Sequence, residues 1–211
     1  EEQEILAAAK GVHLFVEKPV ALTMQKALEI RDAINNAGVI SAVGYHWRYQ
    51  GNTDIAKAVL EGKTIGLVNG YWMGTLPAVS WWRQMDKSGG QVVEQAGHII
   101  DLARYLCGEI VEVYAAYTHR TLEQTEDTDI PDFGSVTLKF ASGAVGTMVN
   151  TCALDVPHTV GLHVVCKDVV LELHGDLKVI EPGHTEIYAG GQNPIQMENL
   201  AFINAIRTGD P

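Results

Sequence analysis

Hydrophobic positions along the chain fall into two regimes. Over the first 44 residues, helical spacing alternates with short unbroken apolar runs. Ile5, Leu6 and Ala9 share one face of an Ala-rich helix predicted over Glu1–Lys10. Val12–Val16 follows as an apolar run of strand length that ends in Glu17–Lys18–Pro19. Ala27, Leu28, Ile30 and Ile34 then recur at helical spacing, with Thr23 placed to cap the helix and Gly38 to end it. Val39–Gly44 is a second apolar run. Helices alternating with fully apolar strands build a parallel sheet covered on both faces. Residues 1–44 are therefore expected to be the trailing part of a doubly wound α/β domain.

After residue 44 the pattern changes. A helix is predicted over Thr53–Leu60, a strand over Leu67–Met73, and a strongly periodic helix over Gln91–Leu106. Strand signals then recur at Val111–Tyr117, Gly134–Phe140, Ala144–Thr151, Thr159–Val165, Val169–His174 and Leu177–Ile180. Ala141–Ser142–Gly143 and Gly175–Asp176 are short enough to close hairpins. The expectation for residues 45–211 is an α+β domain: a large, mostly antiparallel open sheet with the Gln91–Leu106 helix and the last helix on one face.

Charge narrows the functional classes. Fifteen Lys and Arg against 26 Asp and Glu leave a net charge of −11, which argues against a nucleic-acid partner or an anionic membrane surface. The three cysteines, Cys107, Cys152 and Cys166, have no CxxC spacing and suggest neither a disulfide framework nor a zinc ribbon. No apolar stretch approaches the ~20 residues a membrane-spanning helix needs, so a cytoplasmic protein is expected. The first helix has no Met or N-cap before it, and the last ends at Gly209–Asp210–Pro211. Both ends are thus expected to have been cut from a longer polypeptide.

Two places could carry chemistry. Lys18 stands at the carboxyl end of a buried strand, where doubly wound sheets bind ligands, and Pro19 holds it out of the helical conformation. The alternative is a solvated lysine at a strand end. In the Gln91–Leu106 helix, Glu94, His98, Asp101 and Tyr105 follow one another along a single stripe. A carboxylate four residues from an imidazole can fix its tautomer and raise its basicity, as a general base requires. The alternative is a polar stripe facing water. Gly89–Gly90 ahead of this helix would let a ligand approach the backbone. His158, His163, His174 and His184 are scattered among strands and are read as satisfied or exposed, with no metal site expected. GxGxxG, Walker and GxSxG motifs are absent from the 211 residues.

The ordered set Glu17–Lys18–Pro19, Val43–Gly44–Tyr45–His46–Trp47–Arg48–Tyr49, Trp82–Arg83, Ser88–Gly89–Gly90–Gln91–Val92–Val93–Glu94–Gln95–Ala96–Gly97–His98–Ile99–Ile100–Asp101 and Phe202–Pro211 resembles the glucose–fructose oxidoreductase/inositol dehydrogenase (Gfo/Idh/MocA) family. The resemblance spans nearly the whole chain. It implies an N-terminal Rossmann domain for NAD or NADP, here represented by residues 1–44, and a substrate-binding and oligomerisation domain over residues 45–211. It further implies hydride transfer between the nicotinamide and a secondary alcohol or ketone of a sugar or cyclitol. Lys18 and His98 fall on the family's lysine and acid/base histidine, and Glu94 stands where the family usually has Asp. Glu17, Lys18 and Pro19 are expected on the cofactor side, and Arg48, Arg83 and Asp101 on the substrate. Lys18, Glu94 and His98 are expected to converge on one cleft, and a homo-oligomer is expected to form through the open sheet. Without the phosphate-binding glycine loop, the 211 residues alone are expected to be inactive. The rival expectation is a non-catalytic family member or a sheet-mediated scaffold module.

Overall fold

The computed structural model describes residues 2–122 and 125–210. Glu1 and Pro211, the outer limits of the expected first helix and closing motif, lie outside the described residues. The chain forms two compact units: one holds the residues up to Tyr49 together with those from Asn193 onward, the other Gln50–Gln192.

In the first unit, α1 (Gln3–Ala9), β1 (Leu14–Val16), α2 (Met24–Ala37) and β2 (Ser41–Val43) follow the predicted order. The two strands pair in parallel, Phe15 opposite Ala42. The Thr23 hydroxyl accepts from the Lys26 N–H, and Gly38 ends α2 in the left-handed conformation. A 3-10 turn, His46–Tyr49, completes the N-terminal segment. The C-terminal helix, Pro194–Thr208, belongs to this unit: Phe202 packs edge-to-face on Phe15, with ring centroids 5.5 Å apart. This corrects the expectation that the last helix covers the large sheet. Periodicity shows that a helix has an apolar face but not which element covers it. The N-terminal segment of this compact unit runs to Tyr49.

The second unit is built on one eight-stranded sheet. After α3 (Gly51–Leu60) come β3 (Ile65–Met73), the short α4 (Met85–Ser88) and α5 (Gly97–Cys107). The remaining strands are β4 (Ile110–Thr118), β5 (Phe133–Phe140), β6 (Val145–Thr151), β7 (Thr159–Cys166), β8 (Val170–His174), β9 (Asp176–Glu181) and β10 (His184–Tyr188). Their order is β10-β9-β8-β7-β3-β6-β5-β4, antiparallel throughout except for the parallel β3–β6 pair. Both predicted hairpins form, between β5 and β6 and between β8 and β9. β10 had no counterpart in the sequence reading: its His, Thr and Glu positions carry little strand signal, and pairing with β9 supplies the order instead.

Alternation sets the two faces. In β5, Val136, Leu138 and Phe140 are buried while Ser135, Thr137 and Lys139 are exposed. The buried face packs against α5, which crosses β3 at Gly70. A Cβ there would come within 2.8 Å of Ile99 Cγ2 and 2.6 Å of Met148 Sδ. The glycine is what lets helix and sheet approach.

Among the described residues, no helix of this unit packs on the opposite face. It presents a mixed surface in which Leu67, Val145 and Tyr114 are exposed among Thr137, Thr147 and Lys139. The three cysteines are free and buried. Among the described residues, no helix is long and apolar enough to cross a membrane.

Candidate functional site

The predicted helix over Gln91–Leu106 is not one α-helix. Val92–Ala96 forms a π-helical turn that passes into α5 at Gly97. Such turns insert one extra residue per turn and are frequent at functional positions. A sequence pattern read at 3.6 residues per turn cannot register one. Glu94 and His98 still lie about one turn apart, and the water-facing alternative for the stripe is not what the structure shows. Glu94, His98 and Asp101 are only 8%, 6% and 4% exposed. Tyr105, further along, is half-buried beneath the Lys57 ammonium, 4.3 Å from its ring centre.

Several groups fix the His98 surroundings. Its ring stacks on Trp72 of β3, with centroids 6.2 Å apart and planes 24° from parallel. Gln91, one residue before the π turn, ties that turn to the ends of β3 and β6. Its amide donates to the Thr151 carbonyl at 2.8 Å and the Trp72 carbonyl at 3.4 Å, and it accepts from Asn150 at 2.8 Å. Gln91 and Asn150 are 2% and 5% exposed. A groove of about 550 Å³ adjoins this amide pair, lined by Asn150 and Thr151 together with Met73, Tyr117, Phe133 and His158. Sequence reasoning passed over Gln91 and Asn150, since lone amides carry no periodic signal.

Gly89 and Gly90 both adopt left-handed backbone, φ +71° and +80°. The Gly90 N–H donates to the Ser88 hydroxyl at 2.9 Å, which itself donates to the Gln84 carbonyl at 3.0 Å. The pair therefore has a conformational job: turning the chain from α4 into the π turn. Arg83 ends a 3-10 turn, Ser80–Arg83, and its Nε donates to the Pro77 carbonyl at 2.9 Å.

The remaining predicted residues lie in the first unit. Glu17, Lys18 and Pro19 leave the carboxyl end of β1, with Lys18 half-buried and joined to Pro19 by a cis peptide bond. The Glu17 carboxylate lies over Gly44, where a Cβ would stand 2.9 Å from its Oε2. Arg48 is half-buried in the 3-10 turn after β2. Burial pushes the His46 imidazole down; Glu17 raises it and Lys18 lowers it.

Glu198 is a residue that sequence reasoning missed. It is 3% exposed on the C-terminal helix, and burial followed by the charge of Glu17 pushes its carboxyl up to about 7. A carboxyl raised in the folded state favours folding fully below its unfolded value near 4.5, and the benefit is lost as pH rises through about 7. Glu198→Gln should therefore raise stability by roughly 1–3 kcal/mol at pH 8 and change it little at pH 4. Urea unfolding at the two pH values measures this.

Comparison with known proteins gives the class. Residues 55–180 match the model of the GFO/IDH/MocA C-terminal domain. The chain is 31% identical over 150 residues to myo-inositol 2-dehydrogenase of Thermotoga maritima, covering 70% of this chain and 45% of that protein. It is 28% identical over 178 residues to levoglucosan dehydrogenase of Pseudarthrobacter phenanthrenivorans, covering 71% and 46%. A solved levoglucosan dehydrogenase, in complex with NADH and levoglucosan, superposes with a TM-score of 0.86 at 24% identity, over 99% of this chain and 68% of that one. A hydratase of Escherichia coli K12 acting on 2,7-anhydro-N-acetylneuraminate is 27% identical over 160 residues, 70% of this chain and 41% of the hydratase. The chain belongs to the Gfo/Idh/MocA family, and it spans about half the length of the curated relatives it matches.

Proposed function

We propose that the protein carrying this chain is an NAD- or NADP-dependent oxidoreductase that moves hydride between the nicotinamide and a secondary alcohol or ketone of a sugar or cyclitol. The observation that carries this reading is the buried His98 imidazole, one turn from a buried carboxylate and stacked on Trp72. A neutral polyhydroxylated substrate accords with the names of the levoglucosan and inositol dehydrogenases. A net charge of −11 offers no steering toward a phosphorylated one.

The residues of the first unit fit the edge of a nicotinamide site. Glu17–Lys18–Pro19 follows the carboxyl end of a parallel strand, where such sheets meet ligands. Glu17, Lys18 and Pro19 would border the nicotinamide, which when bound accepts the hydride. The 211 residues contain no GxGxxG segment for the pyrophosphate, so in isolation they should neither hold the dinucleotide at micromolar concentration nor turn over.

In the oxidative direction His98 takes the hydroxyl proton, and Glu94 holds the imidazole in the receiving tautomer. The Lys18 ammonium stabilises charge developing on the reacting oxygen. Arg48, Arg83 and Asp101 hold the other polar groups of the substrate. The non-catalytic alternative calls for a missing base, and His98 is in place. Because one relative is a hydratase, the deciding assay follows nicotinamide absorbance over a panel of sugars and polyols. Turnover without any change in reduced nicotinamide would defeat the reading.

We also infer that the helix-free sheet face joins copies of the chain, in a protein that works in the cytoplasm. Leu67 and Val145 lie directly opposite each other on β3 and β6, 37% and 50% exposed. Sedimentation velocity should show a dimer or larger species that Leu67→Lys with Val145→Lys converts to monomer. A monomeric wild type would exclude this interface.

A further inference from the structure

The buried amide of Gln91 reaches both of the groups that surround the His98 imidazole. It stands one residue ahead of the π turn and is 2% exposed. Its Nε2 has two hydrogens to donate and three acceptors in reach: the Thr151 carbonyl at 2.8 Å, the Gln95 Oε1 at 3.1 Å and the Trp72 carbonyl at 3.4 Å. Its Oε1 accepts from the Asn150 Nδ2 at 2.8 Å.

The partners themselves lead to His98. Trp72 carries the ring that stacks on the imidazole, and Trp72 and Asn150 stand directly opposite each other in the parallel β3–β6 pair. Gln95 lies inside the π turn, next to Glu94. One side chain therefore ties the strand behind the imidazole to the turn that carries the carboxylate.

The π turn needs such a tie. Hydrogen bonds from i to i+5 close a wider ring than those of an α-helix, and such turns are rare. Loss of the extra residue would rotate the segment ahead of Gly97 by about 100° around the helix axis, the angle of one residue. That rotation would carry Gln91 off the ends of β3 and β6 and move Glu94 relative to His98. The bonds from Gln91 to the sheet form only in the π register.

Asn150 serves this bond against its own hydrogen-bonding needs. Its Oδ1 is buried without a hydrogen-bond partner, over Gly134, where a Cβ would collide with it. An orphaned buried acceptor opposes stability, and a breach of this kind is characteristic of functional sites. The other end of the same amide is committed to Gln91.

We infer that Gln91, with Asn150 behind it, is a positioning residue for the acid/base step: it touches neither substrate nor nicotinamide and acts by holding Trp72 and Glu94 in register around His98. Its kinetic consequence rests on the oxidoreductase reading; its effect on the imidazole does not.

Gln91→Met in the full-length protein keeps the side-chain volume and removes every bond of the amide. It should lower kcat roughly 10–100-fold with KM within about threefold, the scale of a misplaced catalytic group. In a His98→Ala background the same substitution should lower kcat by less than about threefold, because no imidazole is left to position. Asn150→Ala removes only the bond to the Gln91 oxygen and is the second variant should Gln91→Met fail to fold. It should show the same pattern at about three- to tenfold. NMR of histidine-labelled protein needs no substrate: His98 should show one ring tautomer in the wild type and a mixture in either variant. If the wild type shows no nicotinamide-linked turnover, the oxidoreductase reading fails and the tautomer measurement alone decides this inference. Equal fold-losses of kcat in the two backgrounds would reveal a purely structural role. That outcome, unchanged kcat in both variants, or a single His98 tautomer in both would overturn the proposal.

Discussion

His98→Ala should lower kcat by roughly 10²–10⁴, the usual worth of a positioned acid/base group, while KM moves only a few-fold and dinucleotide affinity stays unchanged. The asymmetry follows from the role: a group that moves a proton acts in the transition state, so its loss falls on kcat rather than on binding. Glu94→Gln keeps the shape of the buried side chain but removes its charge. It should cost less than His98→Ala and move the acidic limb of the oxidative pH profile to lower pH, because a neutral amide no longer favours the protonated imidazole. A loss below tenfold for His98→Ala would mean that another group is the base. Trp72→Phe serves as the control for packing, since it alters the stacked surface without removing an ionisable group.

The parts of the fold that could be read in the sequence were those fixed by local physics. Thr23 and Gly38 bound α2 because a hydroxyl can cap a helix and a glycine can adopt φ +62° at little cost. The antiparallel strands announced themselves by alternation and short turns.

What stayed hidden depended on partners far along the chain. The destination of the C-terminal helix was set by Phe15, nearly 190 residues earlier. The π turn leaves no periodic trace. His163 and His174 look scattered in one dimension because β7 and β8 bring them together only by pairing. Within the candidate site, His98 and Glu94 were legible from their four-residue spacing. Their burial was not, because the same spacing fits a helix face turned to water. The Gln91–Asn150 bond spans 59 residues and could come only from the fold.

Asp132→Ala should destabilise the sheet unit by roughly 3–5 kcal/mol, the scale of leaving buried donors without their charged acceptor. Asp132 is fully buried, and its carboxylate accepts from the backbone N–H groups of Arg120, Thr121 and Leu122 and from the Thr121 hydroxyl, at 2.6–3.0 Å. It thereby closes the turn that follows β4. Nearby, Asp129 ties the same segment to Met85 and Arg83, and Trp82, Ile130 and Cys152 form a small buried cluster there.

Burial alone pushes the Asp132 carboxyl up, but the four donors outweigh it and hold the group at about 2. A carboxyl lowered in the folded state stabilises the fold above its unfolded value near 3.8, and that stability is lost as pH falls toward 2. Acid should therefore remove about 2 kcal/mol from the wild type between pH 5 and pH 2 through this group alone. Asp132→Asn should lose that share of the acid sensitivity while remaining less stable at neutral pH, since an amide turns a donor toward N–H groups that need an acceptor. Urea unfolding of the wild type and both variants at pH 7 and pH 3 separates the two effects. Equal stability of the wild type and Asp132→Ala at pH 7 would show that the turn holds without its carboxylate.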